Sequence, residues 1–321
     1  MAPDEVFGGR GSFASGCTSH VWYAAAVRII VNPVAAGGRL GREWPQTVQR
    51  LARWGLSAPV VFTEAPGHAG DLAAAAVGEG VQRVVVAGGD GTVCEAAEGL
   101  HRAGGGELAI LPLGTGNDAA RTLGVAHDLE ESARAAVDGH FRPVDLIRIG
   151  DRFVLNAIGI GLTANINDRA VKIKWVRGIA VYLIAALSAL VGYRAQKVRM
   201  VTEEQTYQGT MLILAVHGGP TTGGGFALTP GAVPDDGLLD ACLVEEVGPL
   251  GRLARLAVAM RGRLGTMKGT HELQAPWLEL HFAEPLPAHL DGNSVTLEPP
   301  LARFEIVPGA LKVVVPSTTQ F

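Results

Sequence analysis

Val84-Val85-Val86-Ala87-Gly88-Gly89-Asp90-Gly91-Thr92 and, after a short helical segment, Leu108-Ala109-Ile110-Leu111-Pro112-Leu113-Gly114-Thr115-Gly116-Asn117-Asp118 decide the fold. Each is an apolar run of strand length that ends in a glycine-bearing turn and then opens a helix. Such turns point backbone N–H groups at a ligand, and the helix N-termini behind them favour anions. Each turn also carries an acidic residue, so negative charge on the ligand is expected to reach the protein partly through Mg²⁺. The pair reads as a site for nucleotide phosphates.

The same alternation extends outward. Val27 to Val31 is a β-rich run ending in the turn Asn32-Pro33-Val34-Ala35-Ala36-Gly37-Gly38-Arg39, and Trp44, Val48, Leu51 and Trp54 follow at helical spacing. Val60 to Thr63 is a second strand, and Gly67 to Val77 a second helix. Alternating strands and helices predict a parallel sheet covered on both faces, with ligands at the carboxyl ends of its strands. Asn32, Thr63, Gly88 to Thr92 and Gly114 to Asp118 all fall at such ends.

Past Asp138-Gly139-His140 the pattern changes. Val144–Ile149 and Phe153–Ile158 flank Gly150-Asp151 as a hairpin. Strands are expected at Lys197–Thr202, Thr206–Val216, Leu238–Val244, Trp277–Phe282 and Leu301–Val307, with helices at Val176–Tyr193 and Leu250–Arg261. The expected architecture is an α/β N-terminal domain with a parallel sheet, joined to a β-rich, antiparallel, sandwich-like C-terminal domain. The boundaries are a flexible extension over 1–26, a phosphate-binding domain over 27–144 and a β-rich domain over 145–307, with the strands of 308–321 free to return to the first domain.

The uncharged stretch Gly178 to Tyr193 is shorter than the roughly 20 residues a spanning helix needs. It reads as a buried helix. Basic residues before it (Arg169, Lys172, Lys174, Arg177) and after it (Arg194, Lys197, Arg199) also suit an apolar wall that touches an anionic membrane surface. Net charge is −4, which argues against general nucleic-acid binding. Three distant cysteines, Cys17, Cys94 and Cys242, support neither a disulfide framework nor a zinc site, and a reducing cytoplasm is the expected setting.

Further segments complete an ordered set: Thr63 with Gly67-His68-Ala69, Asp145, Gly223-Gly224-Gly225-Phe226, Asp235-Asp236-Gly237-Leu238-Leu239-Asp240 and Asp291-Gly292. With Asn32-Pro33, Gly37, Arg39 and the two glycine loops, this order resembles the diacylglycerol-kinase catalytic superfamily of soluble lipid kinases, related in fold to NAD kinases and including sphingosine-kinase-like members. The resemblance runs over about residues 27–315. It implies ATP held by Asn32, Pro33, Gly37, Gly38, Arg39, Thr63, Gly88, Gly89, Asp90, Gly91, Thr92, Glu95, Gly114, Thr115, Asn117 and Asp118. No lysine occupies the Gly88–Thr92 turn, so Mg²⁺ and Arg39 are expected to neutralise the phosphates. Asp90, with Asp118 and Asp145 behind it, would position Mg²⁺ and orient the acceptor hydroxyl. A strand-end aspartate satisfied by nearby backbone is the competing reading of Asp145. The carbonyls of Val233 and Leu238 and the carboxylate of Asp236 map to a structural Mg²⁺ site, with a plain acidic turn as the alternative.

Two departures stand out. Relatives read Asp-Gly-Glu where this chain reads Asp291-Gly292-Asn293, and an amide at the general-base position cannot accept a proton at neutral pH. Relatives often read Gly-Asn where this chain has His217-Gly218-Gly219. Three readings follow: Asp90 serves as base, positioning suffices for a loose transition state, or the chain is a catalytically impaired nucleotide- and lipid-binding homologue. The expected function is transfer of the γ-phosphoryl group of ATP to a lipid hydroxyl, such as that of diacylglycerol, with the lipid presented from the inner membrane face. NAD kinase-type chemistry and dinucleotide binding through Gly114-Thr115-Gly116-Asn117-Asp118-Ala119 are the rivals. The sequence leaves a homodimer open.

Overall fold

The computed structural model describes residues 26–125, 128–173, 176, 179–190 and 192–316. Residues 1–25 of the extension expected over 1–26, with Cys17, and the residues Lys174, Arg177 and Gly178 lie outside the described residues.

The N-terminal half is built from β1 (Val27–Val31), α1 (Ala35–Arg53), β2 (Val60–Phe62), α2 (His68–Gly78), β3 (Arg83–Gly88), α3 (Asp90–Arg102), β4 (Glu107–Pro112), α4 (Asp118–Thr122) and α5 (Leu129–Asp138). The strands are parallel in the order β2-β1-β3-β4, with Val31 opposite Phe62 and Ala87, and Ala87 opposite Leu111. Side chains alternate across a strand. Val84 and Val86 therefore pack with Val93 and Leu100, while Val85 and Ala87 pack on the other face with Trp44 and Leu51. The turn expected after β1 falls inside the first turn of α1, where Ala36 (φ 51°), Gly37 (φ 68°) and Gly38 (φ 78°) are left-handed.

The remaining elements are β5 (His140–Ile149), β6 (Arg152–Val154), β7 (Ala157–Gly161), α6 (Leu162–Ala170), α7 (Ile179–Ala189), β8 (Gln196–Val201), β9 (Thr206–His217), β10 (Thr221–Thr222), β11 (Phe226–Ala227), β12 (Leu239–Glu245), α8 (Pro249–Ala259), β13 (Thr270–Ala275), β14 (Trp277–Phe282), β15 (Leu286–Leu290), β16 (Asn293–Leu297) and β17 (Leu301–Val315). Antiparallel pairing dominates, around a core that includes Ile158, Leu214, Leu243, Leu278 and Phe304.

Two details differ from expectation for a physical reason. The hairpin after β5 stops at Val154, because the N–H groups of 155–157 turn away to bind the Asp291 carboxylate. The hairpin β15–β16 was not expected. Leu290 faces Asn293 across Asp291 (φ 45°) and Gly292 (φ 88°), a tight turn that Asp-Gly favours.

Strand β17 serves both halves. Its first part pairs with β14 and β5; after an irregularity between Val307 and Leu311, Lys312 and Val313 pair in parallel with Glu107 and Leu108 of β4. Asp145 holds this bend. Its Oδ1 accepts the Gly309 N–H (2.7 Å), its Oδ2 accepts the Gly237 N–H (2.7 Å), and its own N–H donates to Pro234 O (2.8 Å). Buried charge-assisted bonds of this kind contribute roughly 1.5–3 kcal/mol each. Asp145→Ala is therefore expected to lower unfolding stability by about 3 kcal/mol in chemical denaturation while leaving the turnover of the folded fraction near normal. Unchanged stability with abolished turnover would return Asp145 to a catalytic role.

Candidate active site at the junction of the two domains

The two glycine loops lie against each other. A Cβ on Gly114 would stand 2.4 Å from the Cα of Gly89, so the second loop could not carry a side chain there without moving backbone. Asn117, left-handed at φ 53°, locks the second loop by accepting the Gly114 N–H (2.9 Å) and donating to Pro112 O (3.0 Å). Asn32 at the end of β1 donates to Thr92 Oγ1 (2.8 Å), tying the first strand end to the start of α3.

These loops form one wall of a cleft of about 450 Å³. Asn32, Thr63, Gly89, Asp90, Gly91, Thr92, Glu95, Gly114 and Thr115 line it, together with Asn293 from the other half. Pro33, Gly37, Gly38, Gly88 and Asn117 line neither this cleft nor the second cavity described below. Arg39 also lines neither of the two; it is 3.9 Å from Glu43 on the next turn of α1. Val34, Ala35, Ala36, Glu64, Ala65 and Pro66 complete the cleft. Val34, Ala35 and Ala36 belong to the turn read after β1, whereas Glu64, Ala65 and Pro66 follow β2 with no motif to mark them.

A second, narrower cavity of about 110 Å³ enters the C-terminal half between α6, α7 and α8. Leu162, Ile166, Leu190, Leu212, Phe226 and Leu256 give it apolar walls. The helix expected in the uncharged stretch is α7, and its Tyr182, Ala186 and Leu190 face this cavity. Cleft and cavity share Asp90, Asn167, Tyr182, Asp291 and Gly292.

Three carboxylates crowd that junction, each stabilised in a different way. Asp90 opens onto the cleft, with Oδ1 accepting the Ala119 N–H at 2.9 Å. Loss of water around it, then the charges of Asp118 and Asp291, push its carboxyl from 3.8 up to about 7. Asp118 is buried and spans the two halves. Its Oδ1 accepts from Arg121 and from Thr221 Oγ1 (3.0 Å), and its Oδ2 accepts the Gly224 N–H (2.6 Å). Asn156 continues this link, accepting from Thr122 Oγ1 (2.7 Å) and donating to Thr221 O (2.9 Å). Asp291 is fully enclosed, and three consecutive N–H groups, of Leu155, Asn156 and Ala157, donate to it. Burial still raises its carboxyl, the donors opposing it. Asp291 was legible as part of the Asp291-Gly292 motif, but its partnership with 155–157 joins segments more than 130 positions apart and leaves no local mark.

Asn293 stands over the phosphate loop, its Oδ1 3.1 Å from where a Cβ on Gly91 would lie. His217 is packed away from both cavities. Thr229 donates to Gly219 O (2.9 Å), so His217 Nδ1 carries the hydrogen in its 2.8 Å bond to Thr229 Oγ1, and burial pushes the ring down to about 3. Asp145 is likewise absent from both cavities. Val233, Asp236 and Leu238 fall together in the turn before β12, where Asp236 Oδ1 accepts the Leu238 N–H (3.0 Å) and caps its own turn. Among the described residues no group of three or more His, Cys, Asp or Glu side chains is placed to hold a metal ion.

Comparison with known proteins agrees with this arrangement. Residues 26–149 match the family described as "Diacylglycerol kinase catalytic domain", and 156–315 match "YegS C-terminal NAD kinase beta sandwich-like domain". A Pseudomonas aeruginosa protein described as "Probable lipid kinase YegS-like" is 36% identical over 282 residues, covering 84% of this chain and 87% of its own. A Shewanella frigidimarina protein of the same description is 29% identical over 249 residues, covering 75% of this chain and 79% of its own. A solved structure titled as a diacylglycerol kinase from Bacillus anthracis superposes with a TM-score of 0.71 over 92% of this chain and 98% of its own, at 24% identity. With the glycine loops, the apolar cavity and the carboxylate junction in place, the chain belongs to the YegS-like lipid kinase family, an α/β domain with parallel strands followed by a β-rich antiparallel domain.

Proposed function

We propose that this lipid kinase uses ATP in the glycine-loop cleft and phosphorylates a hydroxyl of an acyl lipid, such as diacylglycerol, that reaches the junction through the apolar cavity. The observation that carries this reading is the shared boundary: a polar cleft and an apolar cavity meet at Asp90, Tyr182 and Asp291. The backbone N–H groups of the Gly88–Thr92 and Gly114–Asp118 turns receive the phosphates. Glu95, an oxygen donor on the cleft wall, fits a hard cation, whereas Asp90 is left free to take a proton and both Asp118 oxygens are already engaged. Mg²⁺ held there would neutralise triphosphate charge. The acidic turn at Asp236 needs no cation for its shape, so its Mg²⁺ role is the weaker part of the proposal.

The protein's own groups account for the remaining chemistry. Asp90 faces both compartments, and with a carboxyl near 7 it is suited to accept a proton at neutral pH. As the lipid oxygen bonds to the γ-phosphorus, its proton passes to Asp90 and the bond to the departing ADP oxygen breaks. Asn293 donates and accepts hydrogen bonds but takes no proton, so it orients rather than deprotonates. Phosphoryl transfer tolerates this because positioning dominates a loose transition state. Leu250 is 85% exposed on α8, next to the arginine-bearing cavity wall, and with Leu253 and Met260 it offers an apolar contact for a membrane that presents the lipid. Among the described residues no helix is long and apolar enough to cross a membrane. A second reading is favoured by Asn293 itself: a nucleotide- and lipid-binding homologue with little turnover.

Labelled ATP, Mg²⁺ and a panel of lipids with NAD as competitor test the proposal, since label in NAD, or in no acceptor, contradicts it. Asp90→Asn is expected to abolish transfer in the folded protein; near-normal rates would remove Asp90 from the mechanism. In chelator the same variant has a second signature. The folded carboxyl binds its proton more tightly than the unfolded one at 3.8, so its contribution to stability is lost as pH rises from about 4 to about 7. The thermal midpoint of wild type should therefore fall relative to Asp90→Asn across that window, and a pH-independent difference would contradict the shift. Asn293→Glu separates the two readings. A large gain in kcat shows that the wild type lacks a base, and a loss shows that the amide belongs to a rearranged site.

A further inference from the structure

The apolar cavity has two ends. At the near end lie the three carboxylates, where β7 begins at Ala157 opposite His217 of β9. At the far end Leu212 and Ile213 line the wall, and Glu245 of β12 sits opposite Met211. Five strand residues from His217 to Leu212 separate the ends by about 17 Å. Along α7, Tyr182 and Leu190 lie about 12 Å apart in the same direction.

The far end is not purely apolar. Arg252 donates to the carbonyls of Leu190 (2.9 Å) and Tyr193 (3.0 Å) and pairs with Glu246 at 2.8 Å. Arg255, three residues on along α8, lines the cavity and is 9% exposed. One of its terminal nitrogens donates to Lys268 O (2.7 Å), but its Nε is buried with no partner, and no carboxylate among the described residues pairs with it. The second oxygen of Glu246 is also buried and unpartnered. Two guanidinium groups and one carboxylate leave one positive charge uncompensated at an apolar wall. Burying such a charge without a counter-ion is unfavourable and does nothing to stabilise the fold.

We propose that this corner is an anion subsite, where Arg255 receives a carboxylate or phosphate carried by a long-chain ligand whose hydroxyl end meets Asp90. The inference rests on the lipid-kinase reading and narrows it: the preferred occupant is an amphiphile with an anionic group distal to the accepting hydroxyl, rather than a wholly neutral lipid. Charge-assisted bonding to a buried guanidinium predicts at least ~10-fold discrimination between an acid and its neutral analogue.

The test is calorimetric titration of the full chain without ATP, using dodecanoate and dodecanol at pH 8. Wild type should bind the acid at least ~10-fold more tightly than the alcohol. Arg255→Gln should erase that preference and leave dodecanol affinity unchanged, and Arg255→Lys should keep part of it. Phosphoryl transfer is assayed separately on the same proteins with ATP and Mg²⁺, so loss of transfer and loss of the subsite are read apart. Equal binding of acid and alcohol by wild type overturns the proposal, whether or not the buried variant folds. So does a preference that survives Arg255→Gln, or an Arg255 effect seen only with anionic phosphatidylglycerol vesicles and absent with dodecanoate.

Discussion

Everything at the active centre depends on keeping Asp90, Asp118 and Asp291 close together between two glycine loops. Like charges in a poorly hydrated site repel, and each must be offset locally. Backbone N–H groups do most of that work: one for Asp90, one for Asp118 together with Arg121 and Thr221, and three in succession for Asp291. Asp90 is left the least compensated and the most open to the cleft. Loss of water around it, then the charges of Asp118 and Asp291, brings its carboxyl to about 7.

The same bonds assemble the molecule. Asp118 belongs to the parallel-sheet half but accepts hydrogen bonds from the Thr221–Gly225 segment of the other half. Asp291 draws its hairpin onto the start of β7, and Asp145 clamps the bend of β17 where that strand passes from one half to the other. The glycine-loop cleft and the apolar cavity therefore share one boundary, set by these hydrogen bonds.

Much of this was legible in the chain. The two loops, their acidic residues and the parallel alternation before them are local patterns with local causes, since φ-permissive glycine, apolar strands and helix starts are set within a few residues. The strands Trp277–Phe282 and Thr206–Val216 were equally clear from alternation, and the uncharged stretch around α7 was recognisable as a wall rather than a membrane span. The hairpin around Asp291-Gly292 could have been read from its Asp-Gly turn. Asp145 shows the limit of motif reading. Its place in an ordered set suggests chemistry, whereas its oxygens are committed to Gly237 and Gly309.

By itself the sequence determined where the two glycine turns lie and that an amide, Asn293, follows Asp291-Gly292, because both are properties of residue identity and short spacing. Only the tertiary structure decided that Asp90 lines both the cleft and the cavity with a raised carboxyl, since desolvation and the approach of Asp118 and Asp291 arise from segments distant in the chain. It also decided that Arg255 lies against an apolar cavity without a counter-ion. A lone arginine on a helix gives no hint of its burial, which depends on how α8 packs over β9 and β12.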